Sequence, residues 1–462
     1  MDLTRRGLLA AGLGVGAALG VSACASGGSD SGGRPLPPES PATAPPGSPN
    51  LLVIFSDDHR ADHLGITGAV PFLQTPALDA LASDGIRFDR AYVTTALCSP
   101  SRATLLTGQY ASRHGVQNNL SAWTPGTPSF FDYLAAAGYR CAYIGKWHMP
   151  GDLPDLPGVE RFVTFTIEEG QGVYRDCPLI IDGVETERPG TYVSTDLTDL
   201  ALQWLAESDD GRPYCLVVAH KAVHHEFEPP DDLLGTYDDV DIDLPDEAFT
   251  YQTLLDRNVW EGTAGRLQTS YRRYCETLLG LDREIDRLVA QASDDTVVIY
   301  TSDNGYSWGE HVLTGKRWAY DDNIRVPFIV RWPDGIASPG TVIDEPVLNA
   351  DIAPTLLDLA GVPIPAAMQG RSIAPLLRGE PVEWRDEVFY EYFADFPYQV
   401  PPSQAVRTDR WLYVEYDRGL APELYDTVAD PEQHVNLIEH PAYAATRQEL
   451  SQRLAELRRE YT

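Results

Sequence analysis

The sequence predicts an α/β protein: a large, doubly wound, mostly parallel sheet flanked by helices, followed by a small C-terminal antiparallel α+β unit. Three observations predict it. Short apolar, β-branched runs alternate with stretches of helical spacing from residue 50 to residue 377. Those runs are apolar throughout, as in strands buried on both faces. After Leu377 the pattern changes to short strands separated by turn residues, and it closes with a charged helix.

The elements follow in chain order. Thr4-Arg5-Arg6-Gly7-Leu8-Leu9 precedes an uncharged Gly/Ala/Leu run to Val21, too short and glycine-rich to span a bilayer. Residues 1–24 thus read as a twin-arginine export signal. Val21-Ser22-Ala23-Cys24 matches the small-residue lipobox, with lipidation at Cys24; the plainer alternative is a signal peptide with an incidental Cys. Residues 25–49 are mostly Ser, Gly and Pro and form an extended linker, so folded structure is expected from about Asn50. Strands are expected at 51–55, 140–144, 214–218, 296–300 and 328–331, and helices at 75–83, 129–137, 197–206 and 271–290. Together these make a domain over 50–377. Strands at 387–392 and 404–416 and a helix at 441–460 make the subdomain over 378–462.

Composition bounds the partners. The 462 residues are 43% hydrophobic and 22% charged, enough to bury a core. Lys plus Arg total 35 against 68 Asp plus Glu, a net charge of -33 that repels phosphate backbones and anionic lipids. No nucleic-acid partner is expected, and membrane attachment only through a lipid at Cys24. The six Cys show no C-x-x-C spacing. Cys141 and Cys215 fall in predicted strands as core residues, and a Cys177–Cys275 pairing stays open.

In an open α/β sheet, ligands collect at the carboxyl ends of the strands. There the 51–55 run meets Ser56-Asp57-Asp58-His59, and the 296–300 run meets Thr301-Ser302-Asp303-Asn304-Gly305. Three crowded carboxylates repel unless a cation neutralises them, and an all-oxygen set suits Ca²⁺ first and Mg²⁺ second. Single Asp-Asp and Asp-Asn-Gly clusters are also ordinary turn sequences. Two more strand ends offer Lys146-Trp147-His148 and His220 to His225, and Lys316 adds a further cation. These suit an anionic substrate. Cys98-Ser99-Pro100-Ser101-Arg102 starts a predicted helix, whose exposed amides stabilise an anion beside Cys98.

Cys98-x-Pro100-Ser101-Arg102 followed by Leu105-Leu106-Thr107-Gly108 resembles the signature of the type I sulfatases, formylglycine-dependent members of the alkaline phosphatase superfamily. The resemblance extends through Ser56-Asp57-Asp58, Gly145-Lys146-Trp147-His148, His220 to His224, Asp303-Asn304-Gly305, Gly309-Glu310-His311 and Lys316. It continues in Arg325-Val326-Pro327, Asp351 to Thr355 and Glu423 to Asp426, spanning Asn50 to the C-terminus. It implies an alkaline phosphatase-like fold and a hydrolase for sulfate monoesters. Cys98 would be oxidised to formylglycine (3-oxoalanine) by a separate formylglycine-generating enzyme. One Ca²⁺ would be held by Asp57, Asp58, Asp303, Asn304 and the modified residue 98. Arg102 and Lys146 would activate the aldehyde hydrate, with His148 on its second hydroxyl, Lys316 on sulfate and His224 facing the ester oxygen. Val223 stands where many members have Pro. A hydrate hydroxyl would attack sulfur, and the second hydroxyl would then expel sulfate by losing its proton. Three carboxylates against Ca²⁺, Arg102, Lys146 and Lys316 leave the pocket cationic.

The expected substrate is a sulfated small molecule or glycan, with Trp147, Trp308, Trp318 and Tyr320 available to stack on it. The enzyme is expected at the bacterial surface or secreted, exported by the twin-arginine machinery. Two alternatives differ in chemistry: a formylglycine-dependent phosphodiester or phosphonate ester hydrolase, and a non-catalytic surface binding protein should Cys98 stay unmodified.

Overall fold

The computed structural model describes residues 44–166, 170–207, 210–242, 244–245, 264–417 and 419–462. The expected export signal, Cys24 and most of the linker lie outside the described residues. The packed chain starts earlier than Asn50: the Ala44 N–H donates to the Ala137 carbonyl at 2.8 Å.

Ten strands form the main sheet. In chain order they are β1 (Asn50–Ser56), β2 (Ile86–Phe88), β3 (Arg140–Gly145), β4 (Val159–Phe165), β5 (Leu179–Ile181), β6 (Val184–Thr186), β7 (Tyr214–Ala219), β8 (Thr296–Ser302), β9 (Phe328–Arg331) and β10 (Thr341–Ile343). Their spatial order is β10-β2-β9-β8-β1-β7-β3-β4-β5-β6. The centre, β8-β1-β7-β3-β4, is parallel, while β9 runs antiparallel to both neighbours and β4-β5-β6 form antiparallel hairpins. The sheet is therefore mixed: parallel through its centre and in the edge pair β10-β2, antiparallel where β9 and the β5-β6 hairpin join it.

Both faces are covered, which explains those runs. Leu51, Val53 and Phe55 of β1 point into one core and Leu52 and Ile54 into the other. The first core holds α2 (Cys98–Thr107), α3 (Phe130–Ala136) and α6 (Ile352–Leu359); the second holds α1 (Pro76–Ser83), α4 (Val193–Glu207) and α5 (Ala264–Val289). Truncating a wholly buried residue such as Ile54 to Ala costs about 2–5 kcal/mol. Helix α4 begins before the expected 197 and α5 before 271, because the polar runs Ser194-Thr195-Asp196 and Gln268-Thr269-Ser270 interrupt their apolar spacing. Helix α1 is capped from outside: the Asp282 carboxylate of α5 accepts the Ala77 and Leu78 N–H groups, both at 2.9 Å.

The C-terminal sheet is four antiparallel strands, β11 (Glu387–Tyr392), β12 (Ser403–Thr408), β13 (Trp411–Tyr416) and β14 (Glu423–Asp426), in that order, with helix α7 (Ala444–Tyr461) against it. Its apolar residues join the first core. Cys141, Cys177, Cys215 and Cys275 are buried and none is in a disulfide, so the open Cys177–Cys275 pairing is not made.

Candidate active site

Register places the polar clusters side by side. Ser56 pairs with Ser302, Phe55 with Ala219, and Ala219 with Gly145, so β8, β1, β7 and β3 end together. Asp57 and Asp58, Asp303 and Asn304, His220 to His224, and Lys146 leave from one edge. Gly145 is required there: its φ is 124°, and a Cβ would lie 1.9 Å from the Ala219 carbonyl oxygen, which accepts the Lys146 N–H at 2.7 Å. Helix α2 starts opposite with Cys98, wholly buried.

The side chains converge on Cys98. Its Sγ lies 3.6 Å from Asp57 Oδ1, 3.8 Å from Lys146 Nζ and 2.7 Å from Lys316 Nζ. Lys146 Nζ also donates to Asp57 Oδ2, and Lys316 Nζ to Asp58 Oδ1 at 2.5 Å. Arg102 Nη2 bridges Asp303 Oδ2 at 2.7 Å and Asp57 Oδ2 at 3.2 Å, and its Nη1 donates to the Lys146 carbonyl at 2.9 Å. His224 donates from Nδ1 to the His225 carbonyl at 2.7 Å, and one of its nitrogens lies within 4.8 Å of Asp57 and Cys98. His148 is 4% exposed with Nδ1 unpartnered.

The expected ion fits these residues. Asp57, Asp58 and Asp303 each offer an oxygen within 4.8 Å of the others. Asn304 donates its amide to Asp58, while its buried Oδ1 has no partner. Three carboxylates and a vacant amide oxygen are a hard donor set suited to Ca²⁺.

Comparisons with known proteins give the family. The family model described as Sulfatase matches residues 49–362. The chain belongs to the sulfatase family. It is a sulfuric ester hydrolase with the alkaline phosphatase-like fold. A second model, N-sulphoglucosamine sulphohydrolase, C-terminal, matches residues 309–460. The sulfatase is 28% identical to an N-acetylglucosamine-6-O-sulfatase of Bacteroides thetaiotaomicron, over 89% of this chain and 87% of the relative. It is 31% identical to a choline-sulfatase of Rhizobium meliloti, over 86% and 83%. A solved structure in complex with its substrate D-glucosamine-2-N,6-O-disulfate superposes with a TM-score of 0.82 at 28% identity, covering 90% of this chain and 98% of that one.

Electrostatics in the sulfatase site follow from burial beside cations. Burial alone pushes the Asp57 carboxyl up, yet Lys146, with His224, Arg102 and Lys316, holds it well below the usual range. Burial pushes Asp303 up to about 6, helped by the charge of Asp57. Asp58 is also raised by burial against the pull of Lys316. Burial and the Asp57 charge push the Cys98 thiol up to about 12, so the unmodified side chain is a poor nucleophile. His148 and His224 are held well below the ordinary histidine value, first by burial and then by Lys146.

The sequence holds three lysines, Lys146, Lys221 and Lys316, and all three are buried at this edge. Lys221 was missed as a candidate. Its ammonium lies 5.1 Å from the Tyr174 ring centroid, 3.4 Å from the His225 carbonyl and 3.7 Å from Glu226. Lysine scarcity was the available signal. Among the aromatic candidates, Trp147 and Trp308 are core residues, 3% and 1% exposed, packed against Trp123 and Phe162 and against Tyr274 and Tyr306. Tyr320 is 5% exposed and stacks on the part-buried Trp318.

Proposed function

We propose that this sulfatase removes sulfate from a sulfated glycan, using formylglycine made from Cys98 and one Ca²⁺ held by Asp57, Asp58, Asp303 and Asn304. The observation that bears this reading is the convergence of Lys146, Lys316 and Asp57 on Cys98 Sγ. The glycan class rests on the N-acetylglucosamine-6-O-sulfatase relative and the glucosamine disulfate complex.

When formed and bound, the aldehyde hydrate supplies an attacking hydroxyl and a second hydroxyl for expelling sulfate, and the ion supplies positive charge for both. This chain's residues do the rest. Lys316 and Lys146 hold the sulfate oxygens, which replace their carboxylate partners as an anion enters. Arg102 keeps Asp57 and Asp303 at a fixed separation. Because His224 donates from Nδ1 to the His225 carbonyl, Nε2 carries the lone pair. An arriving sulfate ester makes that nitrogen basic enough to take up a proton from solvent, and the imidazolium then gives that proton to the leaving oxygen. His148, with an open ring nitrogen, accepts the proton of the second hydroxyl.

Export as a twin-arginine lipoprotein acylated on Cys24 belongs to the same proposal, supported by Arg5-Arg6 and Val21-Ser22-Ala23-Cys24. The deciding experiment is mass spectrometry of the peptide containing Cys98, followed by parallel assays on N-acetylglucosamine-6-sulfate and on phosphodiester and phosphonate ester probes. An aldehyde at residue 98 with preference for the sulfated sugar is expected. A retained thiol, or faster turnover of the phosphorus esters, overturns the proposal.

A further inference from the structure

Arg317 directly follows Lys316, and its backbone adopts φ 96° although it has a Cβ. Such a conformation persists only where the surroundings hold it. Three contacts do so. The guanidinium donates from Nε at 3.1 Å and Nη2 at 2.7 Å to Asp395 Oδ2, the Tyr398 ring centroid lies 3.4 Å from the guanidinium carbon, and the Tyr390 hydroxyl donates to the Arg317 carbonyl at 2.9 Å. The two charged side chains are 5% and 1% exposed.

The ion pair is lopsided: both guanidinium nitrogens use Oδ2. The second oxygen, Oδ1, accepts the Asn119 N–H at 3.2 Å, and Asn119 Oδ1 in turn accepts the Ser99 N–H at 3.1 Å. Ser99 is the residue after Cys98, and its hydroxyl donates to the His148 carbonyl at 2.7 Å. One buried carboxylate, on the loop after β11, thus reaches the chain next to Lys316 with one oxygen and, through Asn119, the chain next to Cys98 with the other. A side chain that merely neutralised Arg317 would have no need of the second arm.

We infer that Asp395 is a positioning residue, setting the distance between the Lys316 ammonium and residue 98 from the C-terminal subdomain. The inference rests on the roles given to Lys316 and Cys98 above. A lysine ammonium on a flexible stem contributes fully only when its backbone is fixed, and misplacement by about 1 Å costs on the order of 100-fold in rate.

The test uses the full chain with conversion of residue 98 confirmed, 4-nitrophenyl sulfate as probe, and the variants Asp395→Asn, Asn119→Ala and Lys316→Ala. Asp395→Asn is expected to lower kcat by about 10–100-fold with a smaller change in KM. In the Lys316→Ala background the same change is expected to cost less than about threefold, because a residue acting through Lys316 has nothing left to position. Asn119, part-exposed on a turn, keeps the test available should Asp395→Asn not fold. Its replacement by Ala is expected to lower kcat without lowering the unfolding temperature. Wild-type kcat in the folded Asp395 or Asn119 variant, or full multiplication of the Asp395 and Lys316 effects, overturns the inference while leaving the role of Lys316 intact. Wild-type turnover by Lys316→Ala instead sinks the reading of the site, and this inference with it.

Discussion

The Lys316 ammonium sits 2.7 Å from Cys98 Sγ and donates to Asp58 Oδ1 at 2.5 Å, so one cation joins Cys98 to the clustered carboxylates. Burial pushes its pKa down, but Asp58 and the other acidic groups hold it well above the ordinary lysine value, and it stays charged across the working range. Lys146 makes the matching contact to Asp57 from β3. Replacing either lysine by Ala removes a preorganised charge from the transferring sulfuryl group. Turnover should fall about 100-fold or more with folding retained, as read by steady-state kinetics and circular dichroism.

His224 should reveal its role through the leaving group. If Nε2 protonates the departing oxygen, His224→Ala slows hydrolysis of a sugar sulfate by about 100-fold or more, and hydrolysis of 4-nitrophenyl sulfate, whose phenol leaves without a proton, far less. Equal losses on both esters would remove the acid role.

Chelation should separate binding from folding. Without an ion, Asp57, Asp58 and Asp303 are still matched by Arg102, Lys146 and Lys316, so the treated protein should keep its circular dichroism spectrum. Activity should vanish and return with Ca²⁺, and return less fully with Mg²⁺, which demands tighter octahedral geometry. Undiminished activity of protein shown to be metal-free by elemental analysis would exclude the ion from the reaction.

A pH effect on stability is expected from Glu391 of β11. Glu391 is wholly buried, Oε1 accepts the Ser112 N–H at 2.9 Å, and Oε2 has no partner. Burial raises its carboxyl from 4.5 to about 7. Between those values the folded state binds more protons than the unfolded chain, so this group makes stability fall as pH rises through the window. Below 4.5 both states are protonated and the effect is nil; above 7 it reaches about 3 kcal/mol. Glu391→Gln should therefore raise the unfolding free energy at pH 8 and leave it unchanged near pH 4, measured by denaturant titration.

The site was legible where chemistry and chain continuity coincide. Asp57, Asp58, Asp303, Asn304 and Lys146 follow apolar strands directly, so strand register alone brings them together. Cys98 and Arg102 share one helical turn. Asn119, Arg317 and Asp395 were not legible, since Asn119 and Asp395 are 276 positions apart and meet through loops that no periodicity describes. The central sheet was read from its two-sided burial, while the antiparallel pairings of β5, β6 and β9 follow from pairing partners that short strands do not specify. Trp147 and Trp308 took the commoner of the two fates open to them: beside site motifs in sequence, they are core residues in space.

With every lysine buried in the pocket, at 0%, 0% and 7% exposure, arginine is the only permanently charged basic side chain on the outer surface. Primary amines are therefore scarce outside. Reducing sugars, which glycate lysine, find no side chain to attack there. Succinimide esters used to tether enzymes to beads would likewise find no lysine on that surface.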